Sequence, residues 1–219
     1  MSVLSSAPPR GDLTRAALVA AALKLFGDKG YDAATTREIA AAASANVAMI
    51  AYHFGGKEGL RAACADFVAE RLTQIFASAG PPQVASAEQA RAALAAVARA
   101  LISGVVASEA ARPLARFLMR EIADPSPAFA RIFESAFAPL HKRACEIWAC
   151  ATGQDPTSEE ARLSVFAMLA QVVYFRIARA PVLLRMDWAE IGPREASAIE
   201  SVVVGNLEAA IEAARRRAP

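Results

Sequence analysis

The sequence predicts an all-α protein, and three observations carry that expectation. Hydrophobic residues make up 55% of the 219-residue chain but aromatics only 7%, because alanine, the best helix former, fills much of the apolar share. Caps, capping boxes and glycine or proline stops recur along the whole length. Apolar residues repeat at three- and four-residue spacing, with scarcely any of the period-two alternation of a half-buried strand. The same composition excludes a disordered coil, which needs far less apolar content, and a collagen-like or disulfide-stapled chain, since there is no glycine period and there are three cysteines.

The mean hydropathy of +0.29 raises the question of a membrane. The longest charge-free run, Ile39 to Gly56, is interrupted by Ser44, Asn46, Tyr52, His53 and glycines, so it reads as a pair of short helices rather than a span. Met1 to Asp12 is Ser/Pro/Gly-rich without an apolar core, and is expected to be a flexible arm (residues 1–12) of a cytoplasmic protein. Cys64, Cys145 and Cys150 lack metal-site or redox spacing and read as small buried thiols. The net charge of +2 permits nucleic-acid binding without arguing for it.

Helix by helix, the first runs from about Thr14 to Lys29, with Ala17, Leu18, Ala21, Ala22, Leu25 and Phe26 on one face and Gly30 as its stop. Thr35 and Glu38 form a capping box that opens a short second helix ending near Ala43-Ser44. Asn46 caps a third short helix reaching Phe54, and after Gly55-Gly56 a long fourth helix runs from Lys57 to about Ala77. The break Gly80-Pro81-Pro82 follows. Ser86 with Gln89 opens a helix to about Ser108, Arg112-Pro113 opens one that stops before Asp124-Pro125, and Ser126-Pro127 opens one toward Thr152-Gly153 with a disturbance at Pro139. A capping box of Thr157 and Glu160 starts a helix ending at Ala180-Pro181, and the last runs from about Glu195 to Arg217. About nine helices are expected.

The second and third helices follow the helix-turn-helix plan, with small residues at the turn Ala43-Ser44-Ala45-Asn46 where two helices approach closely. Asn46, Val47, Ala48 and Met49 lie at the start of the third helix, where small apolar side chains suit thymine methyl groups. Arg37 suits guanine, and Thr36, Tyr52, His53 and Lys57 suit phosphate oxygens. The third helix carries no Lys or Arg, and that absence supports a rival reading in which the protein is a helical carrier or partner module for small molecules without DNA control.

The run Ala22-Leu23-Lys24-Leu25-Phe26, Gly30-Tyr31, Ala34 to Ala40 and Tyr52 to Leu60 resembles the DNA-binding domain of the TetR family of transcriptional regulators. Two positions depart from the family's usual pattern: Ser44 stands where the turn normally has glycine, and Ala51 where many members have a tyrosine that touches the DNA backbone. The stretches Arg120 to Phe129, Pro139-Leu140-His141 and Gln171 to Arg179 are further similar to the CecR-type (YbiH-like) branch. The resemblance implies a helix-turn-helix domain over 13–60 and a ligand-sensing and dimerisation domain over 61–219. It also implies a homodimer, a double-stranded operator that is near-palindromic, release by a small hydrophobic or amphipathic effector, and a repressor rather than an enzyme.

Phe117, Phe133, Phe137 and Phe175 are the aromatics, and Arg120, His141 and Gln171 the polar residues, expected to meet that effector. No catalytic constellation, cofactor loop or metal-ligand spacing stands out, so neither a cofactor nor a metal is expected. For pairing, the stripes Leu163, Phe166, Ala167, Ala170, Val173, Tyr174 and Ile199, Val202, Val203, Leu207, Ala210, Ile211 are the expected partner faces.

Overall fold

The computed structural model describes residues 10–80 and 84–217, and there the chain is helical, with no strand among the described residues. Most of the expected arm (residues 1–9) and Pro81-Pro82 lie outside them. The order is α1 (Arg10–Lys29), α2 (Thr36–Ala42), α3 (Ala48–Phe54), α4 (Lys57–Ser78), α5 (Ala87–Leu101), α6 (Arg112–Ala123), α7 (Pro127–Ile132), α8 (Ala138–Thr152), α9 (Glu159–Ile177), α10 (Arg179–Met186) and α11 (Pro193–Arg217). Helix α1 thus takes in residues 10–12 of the expected arm. Helix α5 continues through a π-helical segment, Ile102–Val106, and a 3-10 turn, Glu109–Ala111, precedes α6.

Three boundaries differ from expectation for identifiable reasons. The single helix expected over 127–152 is split by a π-helical segment, Phe133–Phe137. Pro139 has no N–H to offer the carbonyl four residues back, and the backbone widens upstream of it. Thr157 does not cap α9, because Asp155 Oδ1 takes both its N–H and its hydroxyl at 2.8 Å. Ser158 caps instead, accepting from the N–H of Ala161 at 3.2 Å. Helix α9 stops at Ile177 rather than at Pro181, and Pro181 falls in the first turn of α10, where its missing N–H is harmless. The two helices meet at 74°.

The chain divides into two compact units. The first holds the residues up to Val68 together with Pro113–Ile132; the second holds Ala69–Arg112 and everything from Phe133 onward. Helix α4 runs through the boundary. In the first unit Leu18, Phe26, Ile39, Ile50, Leu60, Val68 and Phe117 are buried. The second has two apolar clusters, one around Trp148, Leu94, Val165 and Ile211, the other around Ile102, Val106, Val172 and Val203.

Ala87–Val106 is long and apolar enough to span a membrane by length and composition. Its Arg91 and Arg99 nevertheless pair with Glu208, Glu212 and Glu200 of α11, while Leu94, Ala98 and Leu101 are buried, which is the packing of a core helix. Cys64 and Cys145 are buried and Cys150 half-buried, all as free thiols. Burial pushes the Cys64 and Cys145 thiols up, so they are poor nucleophiles.

Candidate nucleic-acid interface

Helix α2 is fixed at its start by the expected capping box. Thr35 Oγ1 accepts from the N–H of Glu38 at 3.2 Å, and Glu38 Oε2 accepts from the N–H of Thr35 at 3.0 Å. Lys29 Nζ donates to Glu38 Oε1 at 2.6 Å, tying the end of α1 to the start of α2. That ammonium and then the Thr35 donors hold the Glu38 carboxyl down at about 2.

The turn is a Schellman motif. Ser44 donates its N–H to Ala41 O at 3.0 Å, and Ala45 donates to Ala40 O at 2.9 Å. Ser44 occupies the left-handed position of that motif with φ 51°, a conformation in which Cβ is crowded and glycine is preferred. Asn46 Oδ1 then accepts the N–H of Ala48 at 2.9 Å and starts α3. Helix α3 ends at Gly55, φ 73°.

Gly59 explains how α3 and α4 can lie so close. A Cβ added there would stand 1.8 Å from the carbonyl oxygen of Phe54. Only glycine lets the last carbonyl of α3 rest on the first turn of α4.

With Ile50 buried, α3 turns Val47, Ala48, Ala51 and Tyr52 to solvent, and Tyr52 is 79% exposed. Met49 is half-buried. Arg37, at the second position of α2, is exposed and has no ion-pair partner among the described residues; Thr36 beside it is half-buried. Asn46 is exposed at the same end of α3.

Lys57 Nζ lies 4.3 Å from the centre of the Tyr31 ring and 3.4 Å from Asp32 O, and the Arg61 guanidinium also packs over Tyr31 at 4.5 Å. Lys57 is therefore positioned at the amino end of α4 without being neutralised by a carboxylate. His53 differs from its neighbours: its ring meets Tyr52 edge-on at 5.0 Å, and its buried Nε2 has no hydrogen-bond partner. A phosphate reaches that nitrogen only if the ring turns. Arg15 of α1, which the sequence reading did not single out, holds its guanidinium 5.5 Å from the Phe54 ring. Nothing in local sequence spacing signals that approach.

The residues expected to meet an effector fall in both units. Phe117 and Arg120 belong to the first unit and Phe133, Phe137, His141, Gln171 and Phe175 to the second. Phe117 is buried with its ring 6.4 Å from that of Phe26, and Arg120 donates to Gly27 O at 2.7 Å and to Asp28 O at 3.1 Å. Phe133 is exposed, and Phe137 is half-buried at the end of the π segment. His141 stacks on Phe166 at 4.1 Å, with Nε2 3.3 Å from Arg162 O and Nδ1 3.7 Å from Cys145 Sγ. Phe175 packs against the second apolar cluster.

Gln171 alone of the seven lines a cavity of ≈ 30 Å³ whose other walls, among them Leu94, Met168 and Val203, are apolar. Its Oε1 accepts from Asn206 Nδ2 at 2.9 Å. No cluster of three or more metal-ligating side chains occurs among the described residues.

The partner-face expectation is half corrected. On α9, Leu163, Phe166 and Tyr174 are 51–59% exposed, as a partner face requires, and Ala167 and Ala170 are exposed with them. On α11, Ile199, Val203, Leu207 and Ile211 are instead buried in the clusters of their own chain, and Val202, 58% exposed, faces outward.

Comparison with known proteins agrees with this arrangement. Residues 18–64 match the model of the bacterial regulatory proteins of the tetR family. Residues 90–214 match that of the C-terminal domain of the HTH-type transcriptional dual regulator CecR. The chain is 30% identical over 219 residues to the HTH-type transcriptional dual regulator CecR of Shigella flexneri, covering 95% of this chain and 96% of that one. It is 46% identical over 69 residues to the HTH-type transcriptional regulatory protein RaaS of Mycobacterium tuberculosis, about a third of either chain (31% and 32%).

Among solved structures, one from Pseudomonas aeruginosa PAO1 superposes with a TM-score of 0.69 at 20% identity, covering 96% of both chains. A tetR-family regulatory protein from Rhodococcus RHA1 gives 0.65 at 22% identity, covering 91% of this chain and 95% of that one. The similar proteins are regulators rather than enzymes. A capped helix-turn-helix with a solvent-facing second helix, and a C-terminal part matched over more than half the chain, thus agree on one conclusion: this protein belongs to the TetR family of DNA-binding transcriptional regulators and carries a CecR-type C-terminal domain.

Proposed function

We propose that the protein is a cytoplasmic, homodimeric repressor that grips a near-palindromic double-stranded operator and is released by a small hydrophobic or amphipathic effector. The reading head is the helix-turn-helix over residues 13–60, and sensing and pairing belong to residues 61–219. The observation that carries this reading is the exposed face made by Arg37, by Val47 at the start of α3, and by Ala48 and Tyr52 of α3. Its cation has no ion-pair partner among the described residues, and its apolar tips would otherwise be left in water. Such a face suits a major groove, with Arg37 on guanine and Val47, Ala48 and Met49 against thymine methyls. Lys57, Thr36 and Tyr52 with the amino end of α4 would hold phosphate oxygens, fixing register without reading sequence.

Release follows from a population shift. Two reading heads in a two-fold dimer match an operator at one spacing. An effector held among the helices of the second unit favours another, and it lowers occupancy only by the ratio of its affinities for the two. Helix α4 is the pivot, because one continuous helix carries residues of both units. The apolar walls around Gln171 suit an uncharged effector, and the cavity of ≈ 30 Å³ that they enclose would have to widen to admit one.

A binding titration on operator DNA tests the reading. Arg37→Ala should weaken operator binding by about 1–3 kcal/mol and leave random DNA less affected. Equal affinity of the two proteins for the operator would remove Arg37 from the readout.

A further inference from the structure

Helix α5 continues into a π turn, in which Ala107 donates its N–H to Ile102 O, five residues back, at 2.9 Å. Widened turns of this kind recur at functional sites. Between this turn and the start of α11 lies an open groove of ≈ 330 Å³. Ile102 and Ile191, both buried, form its apolar wall with Ala196 beside them. Ser103 and Ser197, both exposed, add hydroxyls.

The groove lies wholly in the second unit and shares no lining residue with the cavity of ≈ 30 Å³ beside Gln171. As it stands, it falls within the size range of small-molecule sites. The uncharged effector proposed above has no use for it, because its polar groups are ionic.

Those ionic groups divide into two sets. At the amino end of α11, Glu195 is already engaged: its Oε2 accepts the N–H of Gly192 at 3.1 Å and its Oε1 accepts from Arg194 Nε at 2.8 Å. That helix start is satisfied from within and is not an anion site. One turn further on, Arg99 of α5 donates through Nε to Glu200 Oε1 at 2.7 Å. Neither side chain makes another hydrogen bond among the described residues. The two terminal guanidinium nitrogens and the second carboxylate oxygen are therefore left for a ligand.

A cation and an anion held side by side select for a pattern of charge. A lone carboxylate drawn to Arg99 meets Glu200 next to it, and a lone ammonium drawn to Glu200 meets Arg99. A molecule that carries both finds a charge-assisted hydrogen bond for each, and the existing pair need not open. Partly exposed pairs of this kind contribute little to stability, so the fold does not require this one.

We propose that the groove between the π turn of α5 and the start of α11 binds a small zwitterion of the α-amino acid type. Its carboxylate sits on Arg99, its ammonium on Glu200, and an apolar side chain lies against Ile102 and Ile191. The site is separate from the cavity beside Gln171, and it does not depend on the reading of DNA.

Methyl NMR of the full chain labelled at isoleucine tests this, with leucine and phenylalanine as probes. Either amino acid should shift the Ile102 and Ile191 signals saturably and leave Ile147 and Ile211, in the other apolar cluster, in place. Isocaproate is leucine without its ammonium group, and isopentylamine is leucine without its carboxylate. Each should bind at least about tenfold more weakly than leucine, having lost one charge-assisted hydrogen bond. Arg99→Gln and Glu200→Gln should each weaken leucine by about the same factor with little change in unfolding temperature. Ser197→Phe, at an exposed position, should fill the groove and abolish the shifts.

No saturable shift with either amino acid would overturn the proposal. So would shifts confined to Ile147 and Ile211, which would put the ligand in the other cluster. Isocaproate or isopentylamine binding as well as leucine would show that the paired charges do not select the ligand. Leucine binding that is unchanged in Arg99→Gln and Glu200→Gln, or retained in Ser197→Phe, would equally contradict it.

Discussion

Ser44 stands at the left-handed position of the α2–α3 turn with φ 51°, and the hydrogen bonds from Ser44 and Ala45 depend on its staying there. A side chain in that region costs about 1–2 kcal/mol relative to ordinary backbone, and glycine avoids most of it while gaining unfolded-state entropy. Ser44→Gly should therefore stabilise the protein by about 0.5–1 kcal/mol in denaturant unfolding. A loss of stability would show that the Ser44 side chain contributes something the backbone account omits. The capping box predicts a pH dependence. Glu38 is held at about 2 in the folded protein against an ordinary value of 4.5, so its stabilising contribution is present above 4.5 and is lost as the pH falls toward 2. The stability difference between wild type and Glu38→Gln should be constant near neutral pH and vanish across that window; a difference that persists under acid would contradict the pairing with Lys29. Both features were legible in the sequence, because caps and turns depend on residues three or four apart. The seat of Lys57 on Tyr31 was not, because it depends on where α1 ends in space.

At the level of elements, the helix-turn-helix is rigid because each join is chemically specified: Lys29 to Glu38, the Schellman turn, and the contact of α4 on the last carbonyl of α3. Gly59→Ala would bring a methyl group within 1.8 Å of Phe54 O and force α3 and α4 apart. Overpacking of this kind costs about 1–3 kcal/mol, and operator binding should weaken with it because α3 loses its support. Wild-type affinity in Gly59→Ala would mean that α3 is oriented by something other than α4. The same glycine belonged to the matched sequence pattern, but its purpose became visible only with the position of Phe54. Helix breaks were harder to read. Pro139 announced a disturbance and Pro181 a stop, yet in both cases the backbone yields upstream of the proline, at the π segment and at Ala178. A missing N–H is felt by the carbonyl of the preceding turn.

The molecule as a whole shows where periodicity stops being informative. A stripe of Ile199, Val203, Leu207 and Ile211 at helical spacing announces an apolar face, but not whether that face meets a partner or its own chain. The structure buries Val203 to 3% and leaves Leu163 on α9 59% exposed. Leu163→Glu should thus shift a dimer toward monomer in sedimentation without unfolding it, whereas Val203→Glu would strike the core; an intact Leu163→Glu dimer would move the interface elsewhere. Residues 113–132 are the larger lesson, since their membership of the reading unit rests on contacts such as Arg61 with Glu121, sixty residues apart. No local pattern carries that information.

The most direct measurement is a footprint of the purified protein on DNA flanking its own gene, repeated across a salt series. A near-palindromic site with two protected halves about one helical turn or slightly more apart is expected, surviving moderate salt because the proposed base contacts of Arg37 and α3 add to those with phosphates. Diffuse protection that disappears as salt rises would contradict it, leaving phosphate attraction without sequence reading.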